Sequence, residues 1–195
     1  MIKNMAVIAV ALLIAIGGGA WLTSYSIQKS SQFGGVTIGG WTAYPLDGTL
    51  EADPYAKARL ARDAALSIGA AEGVTFYAVA DDKGEPMNSR CDYSVEGNNV
   101  SARLWTIYPL NRSKGRLEGV PAEWPTYLNS ETIAYGSDGA FQISVSAYAR
   151  PNNWLAVPKV SGFTLALNLY DSPVATNKGL VETSLPKIIR GKCNG

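Results

Sequence analysis

Chemistry needs particular side chains, and this 195-residue sequence omits an important one. It contains no histidine. That excludes Ser-His-Asp and Cys-His nucleophilic mechanisms and any histidine-ligated zinc or haem. Its two cysteines cannot build a four-cysteine zinc site within one chain. Carboxylates remain. Asp81 and Asp82 are adjacent, and Asp92 and Glu96 lie close to Cys91. Two carboxylates at a set separation can cleave a glycosidic bond by acid/base catalysis. The run Asp81-Asp82-Lys83-Gly84 also has the composition of a solvated turn, which is the commoner use of such residues. The stretch Asp81–Glu85 (DDKGE) is the best acidic cluster for calcium, but it lacks the EF-hand pattern.

Aromatic and cationic side chains supply the other candidates. Exposed tryptophans on a β-sandwich stack on sugar rings or on a partner protein. Of Trp41, Trp105, Trp124 and Trp154, Trp105 sits inside an apolar strand and is expected in the core. Trp124 and Trp154 lie in proline-flanked loops, and these two are the candidate ligand- or partner-binding residues. Arg59 and Arg62, three apart on a helix, are candidates for pairing with acidic groups of a partner. The competing use is intrachain pairing with residues such as Asp63. No Walker A motif, dinucleotide glycine fingerprint or Gly-x-Ser-x-Gly elbow occurs, so no cofactor is expected. The triplets Asn99-Val100-Ser101 and Asn111-Arg112-Ser113 match a glycosylation sequon, a pattern common by chance.

An apolar run at 5–22, after Lys3, contains no charge. As a helix it would span about 27 Å, just enough for a bilayer core. Trp21 and Tyr25 stand where interfacial aromatics are usual, and Lys29 follows. The leading expectation is a retained inner-membrane anchor. Cleavage after Gly18-Gly19-Ala20 is the alternative, although that site lies inside the apolar run. A buried core helix is a third reading, disfavoured by the lack of a polar face. Lys3 and the terminal amine favour a cytoplasmic N-terminus, which places the domain in the periplasm. In that oxidising compartment an even cysteine count favours a Cys91–Cys193 disulfide over two free thiols. In the chain-entropy argument a loop this long stabilises by up to about 4–5 kcal/mol.

Composition bounds the rest. Hydrophobic residues are 47% and charged residues 17%, which fits a folded domain with a real core. The net charge of +1 disfavours nucleic-acid binding. The expected organisation is an anchor and flank at 1–30, a Ser/Gly/Gln-rich linker at 31–37, and a domain at 38–195. A helix is expected over 54–68, with Asp53 as N-cap, Pro54 as first residue and Gly69 as stop. Strands are expected at 74–80, 91–95, 104–110, 141–148 and 163–170, with a last short one at 188–189. Many short strands and one helix predict a mainly β fold. Its form would be an antiparallel jelly-roll-like β-sandwich with one α-helix packed on it, plus the N-terminal transmembrane helix.

Three stretches also resemble a known family. The first holds Gly40-Trp41, Ala52-Asp53-Pro54-Tyr55, Ala58 and Ala61-Arg62. The second holds Glu72-Gly73, Phe76, Ala78, Asp81 or Asp82, Gly84 and Cys91-Asp92-Tyr93. The third begins Asn153-Trp154-Leu155-Ala156-Val157-Pro158. It continues through Phe163-Thr164-Leu165 and Leu169-Tyr170 to Leu185-Pro186-Lys187-Ile188-Ile189-Arg190 and Cys193. Together they resemble the domain of unknown function 1214 (DUF1214) family, in its short membrane-anchored proteobacterial type. The resemblance implies a jelly-roll-like sandwich and no established activity. It also implies a link to a second uncharacterised domain, of the unknown-function 1254 (DUF1254) family. That domain is fused to the first in larger members, or encoded beside short ones as a separate protein. Both cysteines fall in family-like stretches, which supports their pairing. The resulting functional expectation is a non-catalytic binding or interaction module of the bacterial cell envelope. The alternative is a carbohydrate-active enzyme or sugar-binding module.

Overall fold

Where apolar and polar side chains alternate, an extended backbone turns one face to a core and the other to water. That pattern governs most of this chain. The computed structural model describes residues 2–29, 35–63, 68, 72–98, 100–172 and 184–193. They contain helices α1 (Ile2–Lys29) and α2 (Pro54–Asp63). The first five strands are β1 (Val36–Ile38), β2 (Trp41–Ala43), β3 (Gly73–Ala78), β4 (Cys91–Asn98) and β5 (Leu104–Leu110). The others are β6 (Leu128–Asn129), β7 (Ala140–Ser146), β8 (Trp154–Ala156), β9 (Thr164–Tyr170) and β10 (Lys187–Cys193). The helices group in one unit and the strands in another. Helix α2 falls in the same unit as α1.

In the helical unit, α1 has a 24-residue stretch, Lys3–Ser26, of mean hydropathy 2.3. It is long and apolar enough to cross a membrane. Helix α2 begins as the sequence predicts. Asp53 Oδ1 accepts N–H bonds from Tyr55 (2.8 Å) and Ala56 (3.1 Å), which satisfies two donors that the first turn leaves open. The remainder of the expected helix at 64–67, and its stop at Gly69, lie outside the described residues.

The strand unit consists of two open sheets. One runs β1-β2-β3-β9-β5-β6 and the other β10-β4-β7-β8. Pairing is antiparallel except for β7 with β8, which is parallel. Alternation sets which side chains meet between the sheets. On β4, Cys91, Tyr93 and Val95 are buried while Asp92, Ser94 and Glu96 are half-buried. Phe141, Ile143 and Val145 of β7 and Trp105 and Ile107 of β5 also turn inward. Trp105 packs on Phe141 with ring centroids 4.9 Å apart, and Tyr93 meets Phe163 edge-on at 5.7 Å. Each such side chain, fully buried, contributes about 1.5–3 kcal/mol.

Strand β9 breaks the alternation. Leu165, Leu167 and Leu169 face the core, yet Thr164, Ala166 and Asn168 are buried as well. Its central position explains this. Ala166 lies in register between Tyr77 of β3 and Tyr108 of β5. Asn168 Nδ2 donates to the hydroxyls of Tyr170 (3.1 Å) and Tyr108 (3.3 Å). The last strand is longer than expected, Lys187–Cys193 in place of 188–189, because its pairing with β4 continues to Cys193 opposite Cys91. There the Cys91–Cys193 disulfide closes a separation of 102 residues.

One glycine is demanded by close approach. A Cβ on Gly73 would stand 2.2 Å from the Leu169 carbonyl oxygen, a backbone atom that cannot rotate away. Gly73→Ala is expected to cost about 1–3 kcal/mol, the usual price of overpacking. A thermal melt reads this as a midpoint lower by about 2–4 °C per kcal/mol. An unchanged midpoint would contradict the β3–β9 register described here.

Candidate functional site

The acidic turn after β3 is the first place where charged groups converge. Asp81 is buried, where a lone carboxylate would be strongly unfavourable. Its Oδ1 accepts backbone N–H bonds from Lys83 and Glu85, both 3.0 Å. Its Oδ2 accepts the Arg190 Nε–H at 2.7 Å. The rest of the guanidinium is also engaged. Nη2 donates to the carbonyls of Glu85 (3.0 Å) and Pro86 (2.9 Å), and Nη1 pairs with Glu85 Oε2 at 3.2 Å. The cation lies 5.5 Å from the centre of the Tyr93 ring. Asp82 grips the same strand: its Oδ2 accepts the Ile188 N–H (3.1 Å), and its N–H donates to the Ile188 carbonyl (3.1 Å). Trp41 Nε1 donates to the Pro186 carbonyl at 2.7 Å. Of the residues weighed for acid/base or calcium chemistry, Asp81 and Asp82 therefore clamp β10. Where a metal cation would sit, the turn already holds a guanidinium. Burial alone would raise the Asp81 carboxyl. The Arg190 bond, with the N–H bonds from Glu85 and Lys83, outweighs burial and holds that carboxyl below its usual range.

The tryptophans divide. Trp41 and Trp105 are core residues. Trp124 and Trp154 are half-buried and form one edge-to-face pair, with ring centroids 5.0 Å apart. Trp154 opens β8 in register with Ser144, and its Nε1 donates to the Ser146 carbonyl at 3.1 Å. The loop carrying Trp124 reaches the same strand, where Ala156 N–H donates to the Pro125 carbonyl at 2.8 Å. That bond partly covers an edge that would otherwise stay open. Asp92 is engaged nearby. It accepts from the Ser146 hydroxyl at 2.6 Å and pairs with Arg150. Arg59 and Arg62 lie on α2, and their side chains fall outside the described residues. Asn99 also lies outside them, while Asn111 Oδ1 accepts N–H bonds from Ser113 and Gly115 as the cap of a turn.

A third feature was not singled out from the sequence. Asn153 Nδ2 donates to the carbonyls of Ala134 (2.8 Å) and Gln142 (3.0 Å), and its Oδ1 accepts the Ala134 N–H at 2.7 Å. One side chain thus holds the 134–136 segment beside β7. The result is an open groove of 690 Å³ whose lining includes Glu96, Tyr135, Gln142, Ser144 and Asn152. The alternation of β4 and β7 carried the signal, since it sends Ser94, Glu96, Gln142 and Ser144 outward together. Read one strand at a time, Ser94, Gln142 and Ser144 look like ordinary surface polar groups, and Glu96 stands out only as a carboxylate near Cys91.

Residues 72–174, over half of the chain, match the family described as a protein of unknown function, DUF1214. The chain belongs to the DUF1214 family. The match covers β3–β9, with the acidic turn, Trp124, Trp154 and Asn153, and stops short of β10. Among solved structures, the chain is similar to the VPA0106 protein from Vibrio parahaemolyticus. That likeness has 20% identity and a TM-score of 0.58, over 73% of this chain and 36% of that one. A second similar structure is an uncharacterized protein from Burkholderia cenocepacia. It has 17% identity and a TM-score of 0.44, over 93% of this chain and 52% of that one. The chain thus spans about a third to a half of these two proteins. The Vibrio likeness supports the fold alone. No functionally curated protein matches the chain.

The clamp gives a graded prediction. Asp81→Ala leaves the Arg190 charge and two N–H groups without their partner, and is expected to cost about 3–5 kcal/mol. Glu85→Ala, whose side chain is 65% exposed, is expected to cost about 0–1 kcal/mol. The Asp81 contribution is complete above the ordinary carboxyl value of 3.8 and is lost as pH falls through the lower folded value. Denaturant melts from pH 7 to 2 check this. Asp81→Asn should flatten the acid limb, and a limb unchanged from wild type would contradict the assignment.

Proposed function

We propose that this DUF1214 chain is a non-catalytic binding module of the bacterial cell envelope. Helix α1 holds it in the inner membrane as a single span, and a jelly-roll-like sandwich sits in the periplasm. Span length supports the tether, Lys3 supports the orientation, and the disulfide fits an oxidising compartment. The proposed partner surface is the Trp124–Trp154 pair beside β8. Its partner is a protein, with a separate DUF1254-family protein as the first candidate from the family resemblance. The carrying observation is that Trp124, expected in a loop, and Trp154, expected in a loop but found at the start of β8, are 30 positions apart in sequence and form one half-buried pair at a sheet edge. Aromatic anchors of this kind dominate binding energy at interfaces. A glycoside-cleaving reading would require two facing, available carboxylates. Asp81, Asp82 and Asp92 are instead engaged with Arg190, Ile188, Ser146 and Arg150.

Crosslinking of the full chain in native membranes, read by mass spectrometry, tests this reading. The expected result is an intact N-terminal peptide and one stoichiometric protein partner. The double substitution Trp124→Ala, Trp154→Ala should lower capture at least about tenfold, the scale of a lost anchor, while near-UV dichroism shows the core intact. Capture that survives the double substitution would place the partner surface elsewhere. A processed N-terminus would remove the tether.

A further inference from the structure

The groove beside β7 is separate from the tryptophan pair and has a different chemistry. Glu96 of β4 stands in register opposite Gln142 of β7. Gln142 Nε2 donates to Ser94 Oγ (2.8 Å) and to Glu96 Oε1 (3.0 Å). Ser94 Oγ in turn donates to Glu96 Oε1 at 2.7 Å. These bonds use both Gln142 amide protons and one Glu96 oxygen. Glu96 Oε2 and Gln142 Oε1 remain, held in place, with no partner among the described residues. The Ser144 hydroxyl on the same wall is likewise unpartnered among them.

A rigid aromatic ring completes the groove. Tyr135 is 45% exposed, its ring nearly perpendicular to that of Phe141 with centroids 5.9 Å apart and its hydroxyl bonded to the Ser130 carbonyl at 2.9 Å. It is therefore fixed at both ends before any ligand arrives. Asn152, with φ of 61°, closes one side in the left-handed conformation that asparagine tolerates best among non-glycine residues. Glu96 is the one charged residue of the lining, and Lys187, in register opposite it on β10, lies outside that lining. The 690 Å³ groove falls within the range of about 300–1,000 Å³ usual for small-ligand sites.

Fixed acceptors, a hydroxyl and one ring face suit a ligand rich in hydroxyl donors with an apolar ring face. We propose that this groove binds a neutral saccharide chain. Its hydroxyls donate to Glu96 Oε2 and Gln142 Oε1, and a sugar ring lies against Tyr135. An acidic saccharide would meet the Glu96 carboxylate and is excluded by like charge. An apolar peptide would leave the two acceptors buried and unpaired, which is costly. The site binds without cleaving, since its lining contains a single carboxylate, Glu96.

The test is calorimetric titration of the full chain in lipid nanodiscs prepared without glycoside detergents. The probes are cellotetraose, chitotetraose and tetragalacturonate. Saturable binding of at least one neutral tetrasaccharide is expected, with no binding of tetragalacturonate. Tyr135→Ala and Gln142→Ala should each weaken that binding at least tenfold. Tyr127→Ala, at a 64% exposed tyrosine outside the groove, should leave it unchanged. Should Gln142→Ala fail to melt cooperatively, Tyr135→Ala carries the test alone. The proposal is overturned if neither neutral tetrasaccharide binds, if only the acidic one binds, or if Tyr135→Ala binds as wild type does.

Discussion

The Arg190 guanidinium, held by the buried Asp81 carboxylate and lying over the Tyr93 ring, fixes the C-terminal strand to the body of the domain. Terminal strands fray unless something ties them down. Here the ties are Arg190 to the acidic turn, Asp82 to the Ile188 backbone, Trp41 to the Pro186 carbonyl, and the disulfide at the far end. The consequence reaches beyond β10. Strand β4 lies between β10 and β7, and it carries Ser94 and Glu96 on its outward face. Holding β10 in register therefore holds the strand that presents half of the polar groove wall. A buried ion pair is weak as a source of net stability, because desolvation offsets attraction. Its value here is positional, since one arrangement pairs the Asp81 charge, two turn N–H groups and two carbonyls at once.

Much of the fold was legible. Alternation located β4, β5, β7 and β9 to within a few residues, and Asp53-Pro54 marked the start of α2. The Cys91–Cys193 pairing was expected from an even count and an apolar N-terminal run read as an export segment, and the disulfide is present. What local pattern could not supply was partnership. Ile188-Ile189 looked like a short strand because the pattern ends at Arg190, whereas the real length comes from pairing with β4. The Asp81-Asp82 pair read correctly as a turn, but its target, over a hundred residues away, leaves no local trace. Trp105 read as a core residue from its apolar strand and is buried, whereas Trp41 showed in advance no more than that it was a large aromatic, and burial separated it from Trp124 and Trp154.

The site followed the same division. Trp124 and Trp154 could be chosen by loop context, and their contact depends on a bond between Ala156 and Pro125 that sequence does not announce. The groove needed two strands and a loop to be brought together. Asn153 does this with three hydrogen bonds from one amide. The Asn-Trp pair at 153–154 thus performs two tasks with opposite faces of one strand start: the amide builds the groove, and the indole forms the aromatic pair. This is a physical reason for the Asn-Trp-Leu stretch to stand out in the chain.

The central claim is that the Asp81–Arg190 clamp governs the C-terminal strand in particular and not the domain in general. Hydrogen exchange of the full chain, comparing wild type with Asp81→Asn under oxidising conditions, tests it most directly. Local opening exposes amides according to the stability of each cooperative unit. The account predicts that amides of Lys187–Cys193 and of the 81–86 turn exchange at least about tenfold faster in the variant, a gap of about 1.4 kcal/mol. Strand β9, at the centre of the other sheet, should be accelerated clearly less, by no more than the variant's loss of global stability. Unchanged exchange in β10, or equal acceleration of β9, would contradict it.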